Sequence, residues 1–184
     1  MTWLEIAANA VITVSVMLAA RNSVHTWWTG AVGCSLFGVL FWQTQLYADV
    51  LLQAFFVATS LYGLWHWTHG MAGHAAPVRR IAARALFGLS VAAALAALAY
   101  GALLHRFTDA YAPFADSTVL AFSVLAQLLL MRRRLETWPV WLVVNTIAVP
   151  LYASRGLELT AVLYAAYWLN AWRGWWHWRG LAAA

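Results

Sequence analysis

YGLWHW (residues 62–67) and RGWWHW (residues 173–178) share the pattern Gly-x-Trp-His-Trp, and the second copy lies 111 positions after the first. When the chain is shifted by 111 positions, residues 5–67 align with residues 116–178 without a gap. Fourteen of the 63 aligned pairs are identical, and matching Arg, Trp and Gly residues fall near the ends of apolar segments. Because chance matches in a chain rich in Leu and Ala do not concentrate at such ends, the pattern indicates an internal duplication.

The composition excludes an ordinary soluble domain. Hydrophobic residues make up 64% of the 184 residues and charged residues only 9%, whereas a soluble domain carries about a quarter charged residues. All eleven basic residues are Arg, in short clusters between apolar segments rather than along one stripe, which argues against nucleic acid as a partner. The single Cys34 excludes a disulfide framework. We also expect no cleavable signal peptide, since no basic region precedes the first apolar run.

Seven apolar segments are predicted to be membrane-spanning helices, so the fold class is an all-α integral membrane protein with the lipid bilayer as its surroundings. Some segments are short for a span, and flanking Trp and Arg can extend them into the interface. The polar stretch His69–Arg84 is predicted to be a loop. The segments run over Leu4–Ala20, Trp28–Gln43, Val50–Trp67, Ile81–Leu104, Ser117–Met131, Trp138–Tyr152 and Leu159–Trp178.

The duplication and the helix count together predict a topology. Three helices reverse the direction of the chain, so a fourth, Ile81–Leu104, restores the orientation of the first triplet. The expected plan is two parallel three-helix repeats joined by a linker helix (3+1+3), with a substrate site between the repeats. The predicted divisions are residues 1–68 for the first bundle, 69–110 for the loop and linker helix, and 111–184 for the second bundle.

The arginines predict the orientation in the membrane. With seven crossings, nine arginines fall on one side and only Arg106 and Arg155 on the other. By the positive-inside rule, the N-terminus is then external and the C-terminus cytoplasmic. The nine are Arg21, Arg79, Arg80, Arg84, Arg132, Arg133, Arg134, Arg173 and Arg179.

Four amides lie well inside the predicted spans, where a polar side chain is costly and usually faces protein or a water-filled path. They are Gln53, Gln127, Asn145 and Asn170. Two interpretations stay open: interhelical hydrogen bonds that hold the helices together, or donors and acceptors that line a pocket for a solute. Four amides close to many aromatic residues favour the pocket.

Aromatic side chains form the second part of the candidate site. Trp141 precedes Asn145 by four residues, hence one helical turn on the same face, and Phe56, Tyr62 and Tyr167 lie near the span interiors. An indole face beside an amide suits a flat, even cationic, heterocycle. The tryptophans near segment ends are predicted to form an interfacial belt instead: Trp27, Trp28, Trp65, Trp67, Trp138, Trp176 and Trp178.

The histidines raise one alternative from another class of protein. His66, His69 and His177 could belong to a haem-binding or metal-binding membrane subunit that transports nothing. They lie among tryptophans without Cys or carboxylate neighbours, so we predict no metal site and no cofactor. No catalytic triad, phosphate-binding loop or zinc-protease motif is present, so we predict that the protein is not an enzyme.

The residues around these amides resemble a known family. SLFGVLFWQTQLYADVLLQAFFVATSLYGLWHW (35–67) resembles the signature segment of the PnuC family of bacterial vitamin transporters. DSTVLAFSVLAQLLLMRRRLETWPVWLVVN (116–145) resembles its second half, including the pattern of Trp138, Trp141 and Asn145. The resemblance covers nearly the whole chain apart from the linker region.

The resemblance implies a SWEET-like fold and a facilitator for nicotinamide riboside in the bacterial inner membrane. It also implies a homotrimer, and trapping of the vitamin by a cytoplasmic kinase. Gln53, Trp141, Asn145 and Asn170 would contact the substrate. The family also contains relatives that carry thiamine, and possibly riboflavin. For a chain this compact, thiamine (or another B vitamin) is the main alternative substrate.

Overall fold

The computed structural model describes residues 3–43, 47–69, 77–109, 111–156 and 158–183, and these residues form seven α-helices. The helices confirm the predicted all-α class, and each predicted segment coincides with one of them to within a few residues. Pro150 lies inside the sixth helix. The helices are α1 (Trp3–Ala20), α2 (His25–Gln43), α3 (Tyr47–His69), α4 (Ala83–Phe107), α5 (Pro113–Met131), α6 (Thr137–Ser154) and α7 (Glu158–Ala183).

Three of these helices, α1, α4 and α5, are long and apolar enough to cross a membrane. The predicted loop His69–Arg84 is shorter at both ends than expected. Helix α3 extends to His69, and α4 already includes Arg84. Residues 70–76 of that loop lie outside the described part of the chain.

The helices belong to two compact units. Unit 1 contains α1, α2 and α3 together with the short segment Met131–Arg133. Unit 2 contains α4, α5, α6 and α7.

Within unit 1, helix α2 packs against both α1 and α3 because its glycines allow close approach. A methyl group at Gly33 would lie 2.7 Å from the Ile12 side chain on α1. A methyl group at Gly30 would lie 3.1 Å from Ser15 Oγ on α1 and 3.4 Å from Ser60 Oγ on α3. The Ser15 hydroxyl donates to the Thr26 carbonyl (2.7 Å), and the Thr26 hydroxyl donates back to the Ser15 carbonyl (2.9 Å).

The Gly-x-Trp-His-Trp motif closes unit 1 at the end where α2 begins. The Trp67 indole meets the Trp27 indole at 82°, with ring centroids 5.2 Å apart. Gly63 leaves room for this pair, since a methyl group there would lie 2.6 Å from three ring carbons of Trp27. The motif is therefore a socket for a tryptophan from the neighbouring helix.

The same socket recurs in unit 2 at positions shifted by 111. Trp178 meets Trp138 at 84° and 5.4 Å, and a methyl group at Gly174 would lie 2.7 Å from Trp138. The Thr137 hydroxyl donates to the Ala126 carbonyl (2.8 Å), as Thr26 does to Ser15. The duplication thus preserves individual contacts as well as helices.

The turns before α2 and α6 also correspond. Asn22 and Arg133, which occupy matching positions, both adopt left-handed backbone conformations with φ of 54° and 50°, a region that non-glycine residues seldom occupy. In each turn, the residue after the left-handed one donates a backbone hydrogen bond to a carbonyl group of the preceding helix. These bonds run from Ser23 N–H to Leu18 O (3.0 Å) and from Arg134 N–H to Leu129 O (2.9 Å).

Four of the seven predicted belt tryptophans are buried instead. The exposed fractions are 2% for Trp27, 1% for Trp67, 3% for Trp138 and 0% for Trp178. The interfacial prediction is wrong for these four, because they form two indole pairs, in which Gly63 and Gly174 leave room for Trp27 and Trp138. Trp28, Trp65 and Trp176 are exposed, as membrane contact requires.

Arg133 adds a contact in unit 1 that its counterpart Asn22 cannot make. Its guanidinium carbon lies 4.1 Å from the centre of the Trp67 ring, in a cation–π contact. The Trp67 indole N–H donates to the Met131 carbonyl (3.2 Å). Burial lowers the pKa of the Arg133 guanidinium below its usual range.

Candidate functional site

The two copies of the repeat carry different types of residue at two positions on one face of α6. Where α2 carries Gly30 and Cys34, α6 carries Trp141 and Asn145. Residues four apart in a helix lie on the same face. An indole and an amide therefore replace two small side chains on one face of the second copy.

Asn145 is the polar residue of this face. Its side chain is 3% exposed. An Asn amide offers both a donor and an acceptor, so it could pair with a solute that carries complementary groups.

Trp141 is half-buried and packs against an apolar cluster in unit 2. The cluster consists of Leu125, Ala126, Leu129 and Val140. Ala126 takes the position that Ser15 holds in unit 1. The Trp141 side chain is therefore held by its packing against the core of unit 2.

Unit 1 has an open groove of about 540 Å³ between α2 and α3. The groove is almost entirely apolar, and Gln53 contributes the amide in its wall. Gln53 is half-buried. The walls consist of Cys34, Ser35, Gly38, Val39 and Trp42 of α2 and Val50, Gln53, Ala54, Val57, Ala58 and Leu61 of α3.

Some of the corresponding positions of unit 2 carry larger side chains. Trp168 takes the place of Val57, and its indole N–H donates to the Thr146 hydroxyl (3.1 Å). Thr146 in turn matches Ser35. Small residues therefore keep the α2–α3 groove open, and a bulky residue replaces one of them in the second copy.

Tyr167 belongs to a tyrosine cluster of α6 and α7. The ring centroids of Tyr152 and Tyr164 are 4.9 Å apart, and those of Tyr164 and Tyr167 are 5.6 Å apart. Tyr164 and Tyr167 occupy the positions of Gln53 and Phe56 in the repeat. Sequence reasoning missed Tyr152, although it matches Phe41, which stacks on Phe37 in unit 1.

The remaining predicted site residues have protein partners. The Phe56 ring packs against Phe55, with centroids 5.6 Å apart. Tyr62, about half exposed, stacks on His66 with centroids 6.0 Å apart. Gln127 and Asn170 are half-buried, and both interact with other residues.

The structure thus brings together Trp141 and Asn145 on one face of α6, and it places Gln53 in the groove of unit 1. Among the amides of the eight candidates, Asn145 is buried and Gln53, Gln127 and Asn170 are half-buried. None of the eight side chains carries a charge at neutral pH. In the part of the chain that is described, no three His, Cys, Asp or Glu side chains cluster as a metal site would require.

Comparisons with known proteins identify the family of this chain. The family model described as nicotinamide mononucleotide transporter matches residues 2–180. The nicotinamide riboside transporter PnuC of Escherichia coli (strain K12) is 25% identical, over 89% of this chain and 80% of that protein. The riboflavin/roseoflavin transporter RibM of Streptomyces davaonensis is 28% identical, over 95% of this chain and 84% of that protein.

A solved structure shares the fold. The crystal structure of the vitamin B3 transporter PnuC superimposes with a TM-score of 0.76 at 21% identity, covering 98% of this chain and 82% of that one. The family match spans nearly the entire chain, including both copies of the duplicated motif. The chain belongs to the nicotinamide mononucleotide transporter family.

Proposed function

We propose that this protein carries nicotinamide riboside across the bacterial inner membrane by facilitated diffusion, without enzymatic chemistry. Its family consists of transporters, and its relative in E. coli is named a nicotinamide riboside transporter. The observation that supports the substrate best is Asn145, a buried amide (3% exposed) one helical turn from Trp141 on the same face of α6.

The chemistry of the substrate matches these groups. The carboxamide of nicotinamide offers two N–H donors and a carbonyl acceptor, and an Asn or Gln amide can pair with both. The pyridinium ring of the riboside is flat and positively charged, so an indole face such as that of Trp141 attracts it. The proposed substrate contacts are Gln53, Phe56, Tyr62, Gln127, Trp141, Asn145, Tyr167 and Asn170.

The proposed architecture is 3+1+3. In this plan α1–α3 and α5–α7 are parallel repeats, and α4 is the linker. The shared Trp–Trp sockets and left-handed turns support the repeat. The divisions at residues 1–68, 69–110 and 111–184 belong to the same proposal, as do a homotrimer, an external N-terminus, a cytoplasmic C-terminus and trapping by a cytoplasmic kinase.

Uptake of labelled nicotinamide riboside into vesicles that contain the purified protein tests the function. We expect the vitamin to equilibrate across the vesicle membrane without ATP or an ion gradient, and excess unlabelled vitamin to suppress the labelled flux. A flux equal to that of empty vesicles would contradict the proposal.

Riboflavin is the second candidate, because a relative that is 28% identical to this chain is named a riboflavin/roseoflavin transporter. Riboflavin is also flat and carries ring carbonyl and N–H groups that an amide could pair with. Competition in the same vesicles separates the two, with thiamine as a third competitor. The vitamin that suppresses uptake at the lowest concentration is the substrate.

A further inference from the structure

Four arginines gather where α4 begins. Arg79, Arg80 and Arg84 are exposed, and Arg134 is half-buried in the turn before α6. All four belong to unit 2. We call these four residues the α4 arginine cluster.

Backbone contacts hold the cluster together. Residues Arg79 and Arg134 form a parallel β-bridge, a spacing at which neighbouring backbones lie about 4.8 Å apart. The Leu135 N–H donates to the Arg79 carbonyl (3.0 Å), and the Arg134 guanidinium donates to the Arg80 carbonyl (3.0 Å). These contacts hold Arg79 and Arg80 beside Arg134, and Arg84 follows in the first turn of α4.

The cluster carries an excess of positive charge. Its two segments contain four arginines and one carboxylate, Glu136, which accepts a hydrogen bond from the Ile81 N–H (3.0 Å). The first turn of α4 contains no acidic residue.

The position of the cluster identifies its partner. Helix α4 is apolar enough to span a membrane, and most of its side chains are exposed to its surroundings. Arginines at the first turn of such a helix lie at the level of the lipid phosphates. A guanidinium binds a phosphate through two parallel hydrogen bonds, which an ammonium cannot do.

We infer that the α4 arginine cluster binds the headgroup phosphate of an anionic phospholipid. The inference does not depend on which vitamin is transported. A lipid bound there would hold the start of α4 and the turn before α6 in their native contact.

The test compares the purified protein in phosphatidylcholine bilayers with and without phosphatidylglycerol. Native mass spectrometry measures the phosphatidylglycerol retained, and thermal unfolding measures the rise in Tm that this lipid causes. For the double variant R80Q/R84Q we expect roughly tenfold weaker retention and loss of the Tm rise. The single variant R84Q should show a partial loss.

The matched control is R106Q, at the other end of α4, where Arg106 is equally exposed. It should retain phosphatidylglycerol and its Tm rise as the unchanged protein does. Equal losses in R106Q, or an undiminished Tm rise in R80Q/R84Q, would overturn the inference. So would an equal Tm rise caused by inorganic phosphate in pure phosphatidylcholine, because the site would then take free phosphate.

Discussion

The Trp67 indole stands perpendicular to that of Trp27, with ring centroids 5.2 Å apart, over a glycine that leaves no space for a methyl group. Trp178 and Trp138 repeat this arrangement at 5.4 Å. Edge-to-face indole pairs contribute about 0.5–1.5 kcal/mol beyond the area they bury. Each unit therefore has one such socket, which stabilises the packing of helices at one end of the unit.

Replacing the socket glycine should destabilise the protein. In Gly174→Ala the new methyl group would lie 2.7 Å from the Trp138 ring, and overpacking of this kind costs about 1–3 kcal/mol. We expect a lower Tm in detergent. Gly180→Ala in the same helix is the control, because nothing lies within 4 Å of that position. A Tm equal to that of the control would mean that Trp138 moves aside at no cost.

Removing the buried amide should impair transport more than folding. Asn145→Ala takes away the proposed partner of the substrate carboxamide, so we expect ten- to hundredfold weaker binding of nicotinamide riboside by calorimetry. Thermal unfolding of the same variant measures any effect on folding separately. Gln43→Ala, an exposed amide at the end of α2, is the control. Unchanged affinity in Asn145→Ala would remove this residue from the site.

Filling the groove of unit 1 should block transport. Val57→Trp introduces the side chain that Trp168 provides in unit 2, and Ser35 stands where Thr146 accepts the bond from Trp168. We expect a folded protein whose uptake falls at least about tenfold, since an indole takes up a large part of a ligand-sized pocket. Val14→Trp, on exposed α1 surface outside the groove, should transport normally. Normal uptake by Val57→Trp would place the substrate path elsewhere.

The repeated hydroxyl bond at the start of α6 should stabilise unit 2. Thr137→Val keeps the shape of the fully buried side chain but removes its hydrogen bond to the Ala126 carbonyl. We expect the free energy of unfolding to decrease by about 1 kcal/mol. Thr118→Val is the control, because its hydroxyl bonds within its own helix, to the Phe114 carbonyl. Thermal unfolding should show a larger decrease for Thr137→Val, and equal decreases would contradict a role in joining α5 to α6.

Hydropathy and the 111-residue repeat predicted the helices well, because long apolar runs between arginines leave few alternatives to a helix. Whether each tryptophan is buried or exposed could not be predicted from its position in the sequence. Trp28 is exposed and its neighbour Trp27 is buried, and the difference lies in Gly63 on another helix.

The candidate site was predictable in part. Asn145 and Trp141 stand out because they break the repeat on one helical face. The groove beside Gln53 was not predictable, since it depends on how closely α2 approaches α3. Tyr152 could have been found, because its repeat partner Phe41 is also aromatic.

Because of the duplication, this protein contains two copies of one three-helix repeat within a single chain. The sockets at Trp27 and Trp138 are the same in both copies. Two other positions have diverged, since Gly30 and Cys34 of the first copy correspond to Trp141 and Asn145 of the second. The diverged positions differ in size and polarity between the two copies, whereas the sockets keep the same residue types. An attempt to engineer a new vitamin preference should therefore vary the diverged positions and leave the sockets untouched.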